Sequence, residues 1–368
     1  MDLQEIKEGK TKLLIPSRDK YSSPEEAPVF YNPEMKTDRN ISVEIVKKFF
    51  EDSENPLGLD ALSATGARAI RYGNEAKIKT IANDFNPKAV EIIDKNIELN
   101  EGEEKVEPSH KDANSLMTDG KKFDFIDIDP FGSPSPFLGN AFKSIKPRKS
   151  LLGVTATDLG ALSGHYPKAC FRRYGLRSKG NPWEHEIGLR NLILAVQKIG
   201  AVNKFTVVPL FCYWKRHYYR CFFEVRESKR GINRNLDKAG YIGICEDCGR
   251  REKMNLLGKI NCKCECGSKL KILGPTWLDY IGDEEFMEDI NIPDPFFNKI
   301  KKEIKIKELH YNTHRLSRIN GGKAKKKNYY IDKLSDLGYK AQETVFTGYG
   351  FRTNAPQERV IDLSKTDN

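Results

Sequence analysis

From residue 57 onward the chain repeats one pattern: a short apolar run, a turn of small residues, an amphipathic stretch, then another short apolar run. Runs at 57–62, 78–82, 123–128 and 153–157 have the length of buried strands, while 67–75 and 87–99 carry apolar residues at helical spacing. This alternation predicts a doubly wound α/β sheet of the Rossmann-like kind, because a helix must return the chain between parallel strands. A further helical period covers 183–199, and 204–209 with 219–225 predict a closing β-hairpin. Ahead of the sheet, Pro16, Pro24, Pro28 and Pro33 punctuate an irregular or β-rich lead-in. Ile45, Val46, Phe49 and Phe50 then predict one helix with Ser42 as its N-cap. Beyond Val225 the pattern changes to mixed helix and strand rich in Lys, Arg, Cys and Asn, which predicts an α/β domain over 1–225 and an α+β domain over 226–368.

The length of 368 residues suits two such domains. Phe205 to Trp214 is the longest apolar stretch, closed by Lys204 and Lys215, and falls short of a bilayer span. Residues 1–20 alternate acids and bases without a secretory core, so a cytoplasmic protein is expected. The formal net charge of +10 favours a polyanionic partner, with nucleic acid foremost. Basic and aromatic residues interleave in Lys215-Arg216-His217-Tyr218-Tyr219-Arg220 and from Lys323 to Tyr330. Together with Arg172, Arg173, Arg315 and Arg318, these are candidate RNA contacts through phosphate pairing and base stacking.

In a doubly wound sheet the ligand binds beyond the carboxyl ends of the strands. Asp60-Ala61-Leu62-Ser63-Ala64-Thr65-Gly66-Ala67-Arg68 has the shape of such a turn, although it carries a single glycine. Asp84 ends the second strand, where a carboxylate reaches ribose hydroxyls, and Asp112 stands at the next strand end with the adenine amine in prospect. The fourth strand runs into Asp129-Pro130-Phe131-Gly132. A nucleobase amine is a poor nucleophile, because its lone pair is delocalised into the ring. A carboxylate accepting one N–H draws the nitrogen towards the geometry of attack, and Asp129 is the candidate. Pro130 stiffens the turn, Phe131 offers a stacking face and Gly132 lets the backbone pass close by. Phe30 is the candidate second face. These features describe an S-adenosylmethionine-dependent methyltransferase acting on a base of RNA.

Glu8-Gly9-Lys10, Phe30-Tyr31-Asn32-Pro33 with Arg39, the turn from Ser63 to Ala69, Asp129-Pro130-Phe131-Gly132, Ala156-Thr157-Asp158 and Arg352-Thr353-Asn354-Ala355 together resemble the tRNA (guanine-N2)-dimethyltransferase family. The resemblance runs nearly end to end. It implies that Arg39, Arg68, Asp84, Asp112 and Ala113 contact the methyl donor, that Asp129 is catalytic, and that Phe30 and Phe131 flank the base. It also implies tRNA as partner, with the guanine at position 26 converted to its N2,N2-dimethyl form. The competing readings are an amino-methyltransferase for adenine or cytosine, and an inactive RNA-binding scaffold.

Five of the eight cysteines crowd together. Cys245 and Cys248, followed by Gly249, have the spacing of a zinc knuckle, and Cys266-Gly267 closes a second one. Cys262, Cys264 and Cys266 alternate, so one of the three is spare; Cys264 with Cys266 is the favoured pair. Four thiolates leave no open position, which predicts a structural zinc worth about 10–16 kcal/mol to folding.

Overall fold

The computed structural model describes residues 2–17, 19–21, 23–100, 105–321 and 323–365. Of Lys365 to Asn368, whose sequence predicts a frayed tail, residues 366–368 lie outside the described residues. The chain forms two compact units, the first made of Met1–Thr155, Phe222–Glu227 and Asp289–Asp294, the second of the remainder. The boundary expected near Val225 thus falls inside a segment of the first unit.

In the first unit the lead-in opens with an antiparallel hairpin, β1 (Leu3–Glu8) and β2 (Thr11–Pro16). Helix α1 (Lys36–Phe49) starts earlier than its apolar period suggests, so Ser42 lies inside it and donates its hydroxyl to the Asp38 carbonyl at 2.8 Å. The start is set instead by Asn32, whose side chain accepts from the Glu34 amide, and by Pro33 in the 3-10 turn that precedes α1.

The sheet follows as β3 (Leu57–Asp60), α2 (Ala67–Asn74), β4 (Lys79–Asn83), α3 (Pro87–Glu98), β5 (Val106–Ser109), α4 (Ala113–Leu116), β6 (Phe125–Ile128), α5 (Ser135–Ser144) and β7 (Ser150–Ala156). These strands pair in parallel in the order β5-β4-β3-β6-β7, and Phe222–Glu227 extends the sheet beyond β7. Every residue of β6 and β7 is buried, as expected where helices cover both faces of a parallel sheet. Strand order reverses between β3 and β6, which opens a crevice at their carboxyl ends.

The second unit begins with α6 (Leu159–Ser163), α7 (Pro167–Tyr174) and α8 (Glu184–Val202), then β8 (Phe205–Lys215) and the start of β9 (Tyr218–Glu227). An antiparallel sheet, β11-β10-β12, is built from β10 (Ala239–Cys245), β11 (Arg251–Asn255) and β12 (Leu270–Trp277). A smaller one, β13-β15-β14, joins β13 (Tyr311–Asn312), β14 (Ala341–Glu343) and β15 (Gly350–Thr353). Arg190, Arg352, Glu186, Glu303 and His310 are buried as one ion network, with Arg352 Nη1 3.0 Å from Glu186 and Nη2 3.0 Å from Glu303. Among the described residues, no helix is long and apolar enough to cross a membrane.

Candidate active site and metal centre

The turn between β3 and α2 explains how one glycine suffices. Gly66 is left-handed at φ 75°, and Ala64 occupies the same region at φ 48°. A left-handed alanine costs about 1–2 kcal/mol. Asp84 offsets that cost: its Oδ2 accepts the Ala64 amide at 2.8 Å and its Oδ1 the Asn86 amide at 2.8 Å. Both oxygens keep a second lone pair, and the residue is half-buried at the end of β4. Asp112 caps α4 by accepting the Ser115 amide at 2.9 Å, with Ala113 buried beside it.

Asp129 follows β6 directly. Its Oδ2 accepts from both Nε (2.9 Å) and Nη2 (2.8 Å) of Arg68, whereas its Oδ1 has no hydrogen-bond partner among the described residues. Arg68 also donates through Nη2 to Asp38 at 2.5 Å and through Nη1 to the Ser42 hydroxyl at 2.9 Å. Burial works against the guanidinium charge, but Asp38 and Asp129 hold the Arg68 pKa well above its ordinary value. Arg39 is held similarly, by Glu8 Oε2 at 2.8 Å, Glu8 Oε1 at 2.6 Å and the Asn32 carbonyl at 3.0 Å. Burial raises the Glu8 pKa, yet the bond to Arg39 brings the net value below the carboxylate norm. Tyr31 donates its hydroxyl to the same carboxylate, tying the lead-in to α1.

Asp60, at the end of β3, is buried with no hydrogen-bond partner on either carboxylate oxygen among the described residues. Desolvation, then the neighbouring Asp127, pushes its carboxyl up to about 7. Asp127 itself accepts the Tyr72 hydroxyl at 2.6 Å.

Phe131 is 70% exposed, and its ring meets Phe30 edge to face with centroids 4.6 Å apart. A base held between two parallel faces needs about 7 Å, two van der Waals separations. The pair therefore stands closed, and one ring must swing for both to flank a base. Sequence reasoning pointed to Phe30, Phe131, Asp129, Asp84 and Asp112, and the resemblance to Ala113, Arg39 and Arg68, but neither pointed to Asp38, which anchors Arg68. An acid in the first turn of a helix carries no signal for a partner 30 residues away.

In the second unit the sulfurs of Cys245, Cys248, Cys264 and Cys266 all lie within 4.8 Å of one another. Cys245 and Cys266 are 3.5 Å apart, and Cys248 and Cys264 3.6 Å. A tetrahedron with metal–sulfur bonds of 2.3 Å has edges of about 3.8 Å, so the four thiols fit one zinc. Each knuckle closes on a left-handed glycine, Gly249 (φ 74°) and Gly267 (φ 92°). Cys262 is exposed and outside the cluster.

The two basic–aromatic runs are only partly at the surface. Tyr218, Tyr219 and Arg220 are buried in β9, and Tyr330 is buried against Phe351 at 4.8 Å. Lys325 donates to the Leu363 and Lys365 carbonyls, and Lys327 pairs with Glu343. Arg216, His217, Lys323 and Lys326 stay exposed, so the runs keep surface cations while Tyr218, Tyr219 and Tyr330, the rings that stacking would need, turn into the core.

Residues 9–365 match the family described as N2,N2-dimethylguanosine tRNA methyltransferase. The tRNA (guanine(26)-N(2)/guanine(27)-N(2))-dimethyltransferase of Aquifex aeolicus is 34% identical over 378 residues, covering 97% of this chain and 94% of that protein. The tRNA (guanine(26)-N(2))-dimethyltransferase of Pyrococcus abyssi is 34% identical over 390 residues, 99% of each chain. A solved complex of Trm1 from Pyrococcus horikoshii with S-adenosyl-L-methionine has a TM-score of 0.85 at 32% identity, covering 99% of this chain and 100% of that one.

Proposed function

The chain belongs to the N2,N2-dimethylguanosine tRNA methyltransferase family, and from that premise we propose that it methylates the exocyclic N2 amine of guanine 26 in tRNA, first once and then twice, with S-adenosylmethionine as donor. The observation that carries this reading is the divided carboxylate of Asp129. Arg68 clamps Oδ2, which fixes the side chain, and Oδ1 is left to accept one N–H of the guanine amine. That bond draws the nitrogen towards the geometry of attack and gives its departing proton a first acceptor. When bound, S-adenosylmethionine supplies a sulfonium methyl, so the residues have to align more than to activate.

Asp84, Asp112 and Ala113 sit at successive strand ends and would hold the donor's ribose and adenine. Arg39 and Arg68 shape the same site from fixed positions, Arg39 by pinning the lead-in and Arg68 by pinning Asp129. The unpartnered Asp60 carboxylate fits a ligand of net positive charge, which the donor is. Phe131 and Phe30 would stack on the extruded guanine once their mutual contact opens. Cys245, Cys248, Cys264 and Cys266 would hold one structural zinc, in a second unit that grips the tRNA. Unbridged thiols suit the reducing cytoplasm.

The test is transfer of labelled methyl to an unmodified tRNA transcript, with nucleoside analysis, for the wild type and Asp129→Ala. Dimethylguanosine from the wild type and none from the variant is the expected result. Methyl on adenine or cytosine, or full activity in the variant, refutes the assignment.

A further inference from the structure

Helix α7 and the loops on either side of it carry a surface that the methyl-transfer site leaves unexplained. Tyr166 is 67% exposed and Phe171 68% exposed, two large rings at the surface of one short helix and the loop before it. Around them Lys168, Arg172, Arg177 and Lys179 are exposed and make no ion pair among the described residues. The one carboxylate between residues 157 and 182 is Asp158, and it is taken up by the Tyr174 hydroxyl at 2.6 Å and Arg173 Nη1 at 2.9 Å. Those bonds fasten the last turn of α7 and leave the surrounding cations uncompensated.

The surface is rigid as well as basic. The Tyr166 amide donates to the Gly160 carbonyl at 2.9 Å, and a Cβ on Gly160 would stand 2.6 Å from the Tyr166 ring. Gly164 is left-handed at φ 98°, and a Cβ there would meet the Lys179 carbonyl carbon at 2.4 Å. Ser178 and Asn191 both donate to the Leu162 carbonyl, at 3.1 and 2.8 Å, which ties the loops to α8. Exposed aromatic rings on a fastened backbone among cations without ion pairs match the requirements of unpaired nucleic acid: a face for the base and counter-charges for the phosphates beside it.

We propose that Tyr166 and Phe171, with Lys168, Arg172, Arg177 and Lys179, bind an unstacked nucleotide of the tRNA and its flanking phosphates. This rests on the tRNA reading above and adds a second place where the substrate is held. The chemistry is that of single-stranded recognition, so affinity through this surface depends on ring faces and charge but little on base identity.

The test uses the full-length protein and an unmodified tRNA transcript, measuring binding by anisotropy across a salt series and methyl transfer at varied tRNA. The Tyr166→Ala/Phe171→Ala protein should bind tRNA at least about tenfold more weakly, with KM raised and kcat kept at saturating tRNA. Tyr166→Phe/Phe171→Trp should restore binding. Gly160→Ala, which displaces the Tyr166 ring without removing it, should give an intermediate loss. Replacing the four cations with alanine should flatten the slope of log affinity against log salt by about 2–3, at about 0.7 per single-strand phosphate contact. Wild-type affinity, KM and salt slope in these variants, in a protein that methylates tRNA, would overturn the inference. Unchanged tRNA binding with altered sedimentation would reassign the surface to a protein contact. A wild type that neither binds nor methylates tRNA removes the functional reading itself, and this inference with it.

Discussion

Asp60→Asn should leave the free protein more stable than the wild type at high pH, and the difference should itself depend on pH. In the unfolded chain the Asp60 carboxyl titrates near 3.8, whereas burial beside Asp127 pushes it up to about 7 in the folded state. Below pH 3.8 the group is neutral in both states and costs nothing. Between 3.8 and 7 the unfolded chain ionises while the folded one holds its proton, so stability falls as pH rises; above 7 the loss is complete. At 1.36 kcal/mol per pH unit that interval amounts to about 4 kcal/mol. Asparagine cannot ionise, and titrating groups that do not interact with Asp60 cancel in the wild-type-minus-variant difference, which leaves the Asp60–Asp127 pair as its source. Thermal melts at pH 4 and pH 8 should therefore show the variant gaining about 5 °C relative to the wild type. A cationic donor makes ionised Asp60 favourable again, so donor binding near pH 6 should release a proton, visible by calorimetry in buffers of different ionisation enthalpy. A wild-type-minus-variant difference that stays flat from pH 4 to 8 would refute the desolvation argument.

Arg68→Lys replaces a planar fork with a single ammonium, which cannot serve Asp129, Asp38 and Ser42 together; kcat should fall about 100-fold with KM for tRNA little changed, and an equal loss in both would argue against a positioning role. Cys264→Ser should lower bound zinc, read by atomic absorption, and the melting temperature with it, while Cys262→Ser leaves both unchanged. Reversed results would move the ligand assignment to Cys262. Arg352→Met strands Glu303 and half of the Glu186 pairing in the interior, so stability should drop by about 3–5 kcal/mol in denaturant melts; a loss below 1 kcal/mol would mean the network is solvated.

What could be read from the sequence, and what could not, divides along the range of the interaction involved. Strands β3, β4, β6 and β7 were legible because a parallel strand covered on both faces is rich in apolar residues, even where a buried Thr80 or Thr155 interrupts it. The knuckles were legible because each ends in a Cys-Gly step, and the choice between Cys262 and Cys264 becomes clear only when Gly267 turns the chain back. The start of α1 was misjudged because the apolar period marks the buried face of a helix, while Asn32 and Pro33 mark its end. The Arg68–Asp129 and Arg39–Glu8 pairs could not be read at all, since partners 61 and 31 residues apart leave no periodic trace.

Those two arginines also resolve an apparent conflict in the site. A pocket for a net cation should not present free positive charge, yet the resemblance places Arg39 and Arg68 in it. Both are neutralised within the fold, Arg39 by Glu8 and Arg68 by Asp38 and Asp129 together. Asp60 then stands behind the strand ends with no partner on its carboxylate among the described residues, ready to ionise when a cation binds, inside a chain whose overall charge is +10. Such a contrast between site and whole chain suits an enzyme with two ligands of opposite sign. On the proposed reading the basic exterior draws in the polyanion, and the crevice, free of uncompensated positive charge, takes the small cation.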